Sequence, residues 1–182
     1  LRIVTTASAD VPLKGLDFLL KAFASVKDIH SNASLQIIGG SKKGGHTKRL
    51  IKKLGIEKDI TFNKNLSFKE VRDLYCSADI VVIPSLYEGF GFAVGEAMAC
   101  KVPVITTSGG AIPEVIKDCG IIVEPGKSKE LEKAILALLP NEELKKSLAE
   151  KGFQRIRKDL QWNEVAIRAT EMYEAEIEKW ED

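Results

Sequence analysis

The segment Pro84-Ser85-Leu86-Tyr87-Glu88-Gly89-Phe90-Gly91-Phe92-Ala93-Val94-Gly95-Glu96-Ala97-Met98-Ala99-Cys100 joins two kinds of periodicity. Ile80–Pro84 is an unbroken apolar run, suited to a strand buried on both faces. Phe92–Cys100 reads as a helix. Between them Gly89 and Gly91 let the backbone approach a ligand closely. The amides of Phe90, Gly91 and Phe92 then face the same place as the positive end of the helix, which makes an anion site most naturally suited to phosphate. Glu88 lies in the loop and Glu96 inside the helix, eight positions on. At about 1.5 Å per helical residue plus the loop, the two carboxylates fall roughly 10 Å apart. That is too wide for an acid pair sharing a proton and suits two ends of one extended ligand. Phe92, Ala93, Ala99 and Cys100, the neighbours of Glu96 on its helix, carry no positive charge. The expectation is therefore a buried Glu96 that needs a partner.

The same unit recurs outward in both directions. Apolar runs at Arg2–Thr6, Leu35–Ile38, Ile60–Asn63, Ile80–Pro84, Val104–Thr106 and Ile121–Val123 predict six strands, separated by helices of 3.6-residue period. Leu16, Leu19, Leu20, Phe23 and Val26 share one face of the first helix. His46–Leu54 is a basic amphipathic helix stopped by Gly55, and Ser67-Phe68-Lys69-Glu70 is a capping box. Ser128 and Asn141 are predicted N-caps, and a last helix is expected over 162–182. Alternating strands and helices imply an α/β fold, a Rossmann-like, right-handed, doubly wound parallel sheet of about six strands, with one domain over 1–182. Ligands of such sheets bind at the carboxyl ends of the strands.

Composition narrows the function classes. With 182 residues, 45% hydrophobic and 29% charged, the chain can bury a full core. A net charge of +1 gives no global field that points to nucleic acid. No run of about 18 apolar residues spans a membrane. The three cysteines, Cys76, Cys100 and Cys119, form no C-x-x-C pair and read as small, reduced core residues. There is no Asp-x-Asp, and the only histidines are His30 and His46, so no metal site is expected.

The ordered set of motifs resembles the group-1 retaining glycosyltransferases of the GT-B fold. Glu88 and Glu96 match that family's E-x7-E spacing. The flanking Pro84-Ser85, Glu96-Ala97-Met98-Ala99-Cys100, Val102-Pro103-Val104-Ile105, Gly109-Gly110-Ala111-Ile112-Pro113-Glu114-Val115 and Gly120-Ile121-Ile122-Val123-Glu124-Pro125-Gly126 match as well. Trp162 fits the aromatic before the final helix. The likeness runs over essentially the whole chain and is to the C-terminal, donor-binding half of a two-domain protein, so a missing N-terminal domain is expected. It implies a nucleoside-diphosphate sugar as donor, with no cofactor or metal. The acceptor is open, a glycan or lipid-linked glycan among the candidates. Location would be cytoplasmic, with the inner membrane face as a peripheral site.

By that resemblance Glu88 contacts the hexose and helps stabilise charge at the anomeric carbon, while Glu96 binds the ribose hydroxyls. Amides over Gly89, Phe90, Gly91 and Phe92 hold sugar and diphosphate. Lys14 and Gly15 belong to the phosphate loop, where Lys14 stabilises the leaving group. A lysine at a helix N-terminus is oddly placed unless an anion offsets it. Leu66, in Asn63-Lys64-Asn65-Leu66, walls the base. Two positions depart from the pattern. Ala9 stands where the family often has an arginine, leaving Lys42 or Lys43 as substitutes, and Lys101 stands where glycine is common. Two rival readings stay open, a nucleotide-sugar 2-epimerase of the same architecture and a non-catalytic nucleotide-binding module.

Overall fold

Alternate residues of each central strand enter opposite hydrophobic clusters, because strand side chains point to opposite faces. Ile3, Ile80, Val82 and Ile105 belong to one cluster, and Val4, Val81, Ile83 and Val104 to the other. The computed structural model describes residues 1–181. In chain order the main elements are β1 (Arg2–Thr6), α1 (Leu16–Ile29), β2 (Ser34–Ile38), α2 (His46–Leu54), β3 (Ile60–Asn63), α3 (Phe68–Cys76) and β4 (Ile80–Ile83). They continue with α4 (Phe92–Ala99), β5 (Val104–Thr107), α5 (Ile112–Ile116), β6 (Ile121–Val123), α6 (Ser128–Leu138), α7 (Glu142–Asp159) and α8 (Trp162–Glu181). Of the expected C-terminal helix over 162–182, Asp182 lies outside the described residues.

All strand pairings are parallel, and the order is β3-β2-β1-β4-β5-β6. Both faces are covered. Residues of α1 and α6 fill one cluster, and residues of α4 and α5 the other, with α7 packed on α4. The six expected strands are present, with ends moved by one residue at most. Local stop signals also hold. Ser67 and Glu70 form the capping box, Asn141 accepts the Leu144 amide at 2.9 Å, and Gly55 ends α2 with φ 70°. Ser128 differs from expectation: it is the first residue inside α6, the cap position is Lys127, and the Ser128 side chain caps nothing. The short α5 carries Pro113 at its start, where the missing N–H costs nothing.

Candidate functional site

The strand order reverses between β1 and β4. The chain leaves β1 toward β2 on one side and leaves β4 toward β5 on the other, which opens a crevice at their carboxyl ends. The loops after these two strands meet there. Gly15, at φ 62°, lies so close to the neighbouring backbone that a Cβ on it would stand 1.9 Å from the Pro84 carbonyl oxygen. Beside it the Leu86 amide donates to the Leu13 carbonyl at 2.8 Å. This zipper carries Lys14 to Glu88, and its Nζ donates to Oε1 at 2.8 Å. Ser85, fully buried, donates its hydroxyl to the same oxygen at 2.7 Å. Oε2 of Glu88 makes no hydrogen bond among the described residues. The anion that a lysine at this helix start requires is thus supplied by the chain itself.

Glu88 is also fixed through its backbone. Its amide donates to the Gly109 carbonyl at 3.3 Å, and its carbonyl accepts from the Ala111 amide at 3.0 Å. Gly110, at φ 72°, permits this approach, since a Cβ there would lie 2.2 Å from the Glu88 carbonyl oxygen. Thr107 donates its hydroxyl to the Ser85 carbonyl. From behind, Arg155 of α7 donates through Nε to the Val115 carbonyl at 2.7 Å and through Nη2 to that of Glu114 at 2.6 Å, which satisfies the end of α5. The chain of support runs from α7 through α5 to the loop that grips Glu88.

The start of α4 lies next to this carboxylate. The amides of Phe90, Gly91 and Phe92 make no hydrogen bond among the described residues, so the helix presents unsatisfied donors at its positive end. The Phe90 and Phe92 rings pack on each other at 4.6 Å between centroids, and both are substantially exposed. A Cβ on Gly89 would meet nothing within 4 Å, so this stretch of loop is open.

Glu96 corrects the sequence reading. It is exposed, not buried. The apolar residues of α4 that suggested burial, Val94, Ala97 and Met98, face the core, while Glu96 looks toward the carboxyl ends of β1 and β2. It has a partner, too: the Tyr75 hydroxyl donates to its Oε2 at 3.4 Å. Tyr75 is itself buried and shares a 2.5 Å hydrogen bond with the Thr6 hydroxyl. Burial pushes the Tyr75 phenol well above its ordinary value, and the charge of Glu96 adds to this, so the phenol stays protonated and able to donate. Glu96 and Leu66 line one cavity of about 300 Å3, together with Thr6, Ile38, Phe68 and Val71. A larger cavity, about 380 Å3, lies by Asp10, Phe18 and His46 and contains neither glutamate.

The loop before Lys14 is shaped by Asp10, for which sequence reasoning offered no role. Its carboxylate accepts the Thr47 amide at 3.0 Å, and its own amide donates to the Thr47 hydroxyl at 3.1 Å. The Thr47 amide holds the Asp10 carboxyl below its ordinary value, outweighing the opposing effect of burial, and the Lys42 amide adds a smaller lowering. Ala9 is buried and donates its amide to Gly40 at 3.1 Å. Lys42 and Lys43 are exposed, and the Lys42 amide reaches Asp10, not the Lys14–Glu88 pair. Lys101 adopts φ 58° just after α4, which explains why glycine suits that position, and its ammonium pairs with Glu150 at 2.5 Å. Of the three cysteines expected in the core, Cys119 is buried there, whereas Cys100 is half-buried and Cys76 exposed. Among the described residues no helix is long and apolar enough to cross a membrane.

Comparison with known proteins follows the same outline. Residues 2–155 match the family model described as glycosyl transferases group 1. The chain is 36% identical over 179 residues to the MMP alpha-(1->4)-mannosyltransferase of Mycolicibacterium hassiacum, an alignment covering 97% of this chain and 43% of that protein. It therefore spans less than half the length of this relative. Among solved structures, the C-terminal domain of a glycosyl transferase group 1 family protein from Francisella tularensis superposes with a TM-score of 0.78 at 27% identity. That match covers 88% of this chain and 87% of the other. Anabaena HepE in complex with UDP superposes at 0.84 with 22% identity, covering 95% of this chain and 48% of that one, a likeness of fold.

Proposed function

The chain belongs to the group 1 glycosyl transferases, and we propose that it holds the nucleoside-diphosphate sugar in a retaining hexosyl transfer carried out by a longer, two-domain protein. One observation carries this reading. Lys14, the free amides at the start of α4 and Glu88 converge on one crevice, with the Glu96-lined cavity on its flank. The diphosphate lies against Lys14 and the amides of Phe90, Gly91 and Phe92, which take up the negative charge of the leaving group as the glycosidic bond to phosphate breaks. Glu88 keeps Oε2 for hexose hydroxyls and sets a negative charge near the oxocarbenium-like carbon. Glu96, steadied by Tyr75, accepts from the ribose hydroxyls, and the base rests against Leu66. The group of donors named here is offered as sufficient without a divalent metal. UDP in the similar Anabaena structure supports a nucleotide donor, and the mannosyltransferase relative supports a hexose. The acceptor, a glycan or lipid-linked glycan, is assigned to the remaining part of the protein, on the cytoplasmic side.

Calorimetry of the full-length protein against UDP-, GDP- and ADP-sugars tests the reading, and binding to none of them defeats it. Glu88→Gln adds a sharper arm. Without the carboxylate, Lys14 is released toward phosphate, so nucleotide affinity is held or raised while product formation falls by at least 100-fold, about 2.7 kcal/mol of barrier. Transfer at the wild-type rate in this variant would remove Glu88 from the chemistry. Product analysis separates a glycoside from an epimerised donor.

A further inference from the structure

Phe68 is 97% exposed, although nothing about the first residue of a helix asks for an aromatic ring in water. The backbone that carries it is fixed. Asn65 turns the chain with φ 54°, and the reciprocal bonds between Ser67 and Glu70, at 2.7 and 3.3 Å, fix where α3 begins. Phe68 lines the 300 Å3 cavity together with the apolar Ile38, Leu66 and Val71, the hydroxyl residues Thr6 and Ser67, and the acid Glu96. The cavity thus combines apolar walls, a few polar groups, one carboxylate and an exposed aromatic ring. That combination fits a flat heterocycle joined to a polyol. Apolar walls take the edge and one face of the ring, the aromatic takes the other, and the carboxylate takes the hydroxyls.

We propose that Phe68 packs on the nucleobase of the donor and closes the open side of its cavity. The proposal rests on the donor-binding reading above and adds a residue that fixes affinity for the base, independent of the contacts to phosphate and hexose. Every base offers a π-face, so Phe68 contributes affinity to UDP, GDP and ADP alike, and the choice among them falls to the polar edges of the cavity.

The test uses the full-length protein, with UDP, GDP, ADP and inorganic pyrophosphate titrated by calorimetry into wild type, Phe68→Ala and Phe68→Tyr. Because the side chain is exposed, the alanine variant keeps its fold, which circular dichroism checks. Phe68→Ala is expected to bind the tightest nucleotide about 5- to 150-fold more weakly, the equivalent of roughly 1–3 kcal/mol of base–aromatic stacking. Pyrophosphate binding stays unchanged, and Phe68→Tyr, which keeps the ring, restores nucleotide affinity to within about 3-fold. Unchanged nucleotide affinity in Phe68→Ala overturns this proposal alone. So does an equal loss for pyrophosphate, which would make the residue a support of the loop or a contact for another part of the protein. Failure of the wild type to bind any of the nucleotides overturns both this proposal and the donor reading.

Discussion

Replacing Gly15 by alanine tests whether the seam between the β1 and β4 loops is as tight as its geometry states. Two penalties add. At φ 62° an alanine bears the left-handed backbone cost of about 1–2 kcal/mol. Its Cβ would also lie 1.9 Å from the Pro84 oxygen and 2.8 Å from the Pro84 carbon, where real Cβ atoms keep beyond 3.0 Å. Both partners are backbone, so no rotamer relieves the clash, and the loops must part by more than about 1 Å at an overpacking cost of roughly 1–3 kcal/mol. The Leu86 amide bond to Leu13, now 2.8 Å, then passes out of range and forfeits about 1 kcal/mol. The sum is about 3–6 kcal/mol. Gly55→Ala is the matched control, because Gly55 has φ 70° with nothing within 4 Å of its Cβ position and bears only the backbone cost. For a chain of this length each kcal/mol moves Tm by about 2–4 °C. Urea and thermal unfolding followed by circular dichroism should therefore place Gly15→Ala well below Gly55→Ala at unchanged m-value. Equal losses in the two variants would show that the seam is not closed and that Lys14 is not held against Glu88 by it.

Three further outcomes are expected. Thr5 is fully buried in β1 with a hydroxyl that finds no partner among the described residues, so Thr5→Val should stabilise by about 1–2 kcal/mol, and a lower Tm would contradict this. Burial, then the neighbouring Cys76 thiol, push the Cys100 thiol up to about 12, and burial raises that of Cys119, so iodoacetamide at pH 8 should label the exposed Cys76 first. Peptide mapping that finds Cys100 labelled first would refute the assignment. The Asp10 carboxyl, held below its ordinary value of 3.8, adds stability that is fully present above its unfolded pKa and lost as pH falls through the lower folded one. Protection of the Thr47 amide from hydrogen exchange should fade in that acid window, and in Asp10→Ala it should be low at every pH; a midpoint above 3.8 would reverse the sign.

What the sequence revealed divides by the range of the interaction. The strands were legible because burial on both faces demands unbroken apolar runs, and β4 and β5 are buried at every residue. Caps at Ser67 and Asn141 were legible because donor and acceptor sit three residues apart. Ser128 misled for a related reason. A good capping residue stands at the right place, but the helix begins one position earlier, and Glu130 takes the Glu124 amide at 3.1 Å instead. The burial of Glu96 was misjudged from its helix neighbours, which report the composition of α4 but not which face meets the core. Its partner Tyr75 lies 21 residues upstream on another helix, and that contact exists only once α3 and α4 stand side by side. Lys14 and Glu88 are 74 residues apart and were legible as two candidates but not as a pair. Sequence order placed their loops at the same edge of the sheet, while adjacency of β1 and β4 is a property of the strand order.

That pairing changes the electrostatics inferred for the crevice. Read separately, Lys14 is a free cation waiting for phosphate and Glu88 a free anion waiting for sugar. In the folded chain they neutralise each other through a 2.8 Å contact that leaves Glu88 largely buried, with 16% of its side chain exposed, and Lys14 more open at 37%. The positive end of α4, worth about half an elementary charge, is then what first attracts an anion. Burial favours keeping a cation beside Glu88, since a carboxylate left in that setting with only Ser85 would bear an uncompensated desolvation cost. A diphosphate that engages the more exposed ammonium while Glu88 keeps part of it satisfies both demands, because an ammonium has three donors. On the proposed reading Lys14 therefore bridges donor and acid instead of choosing between them. This offers one answer to the missing arginine at Ala9: a single lysine, pre-positioned by Gly15 and shared with Glu88, aided by the α4 amides, takes the work of two cations.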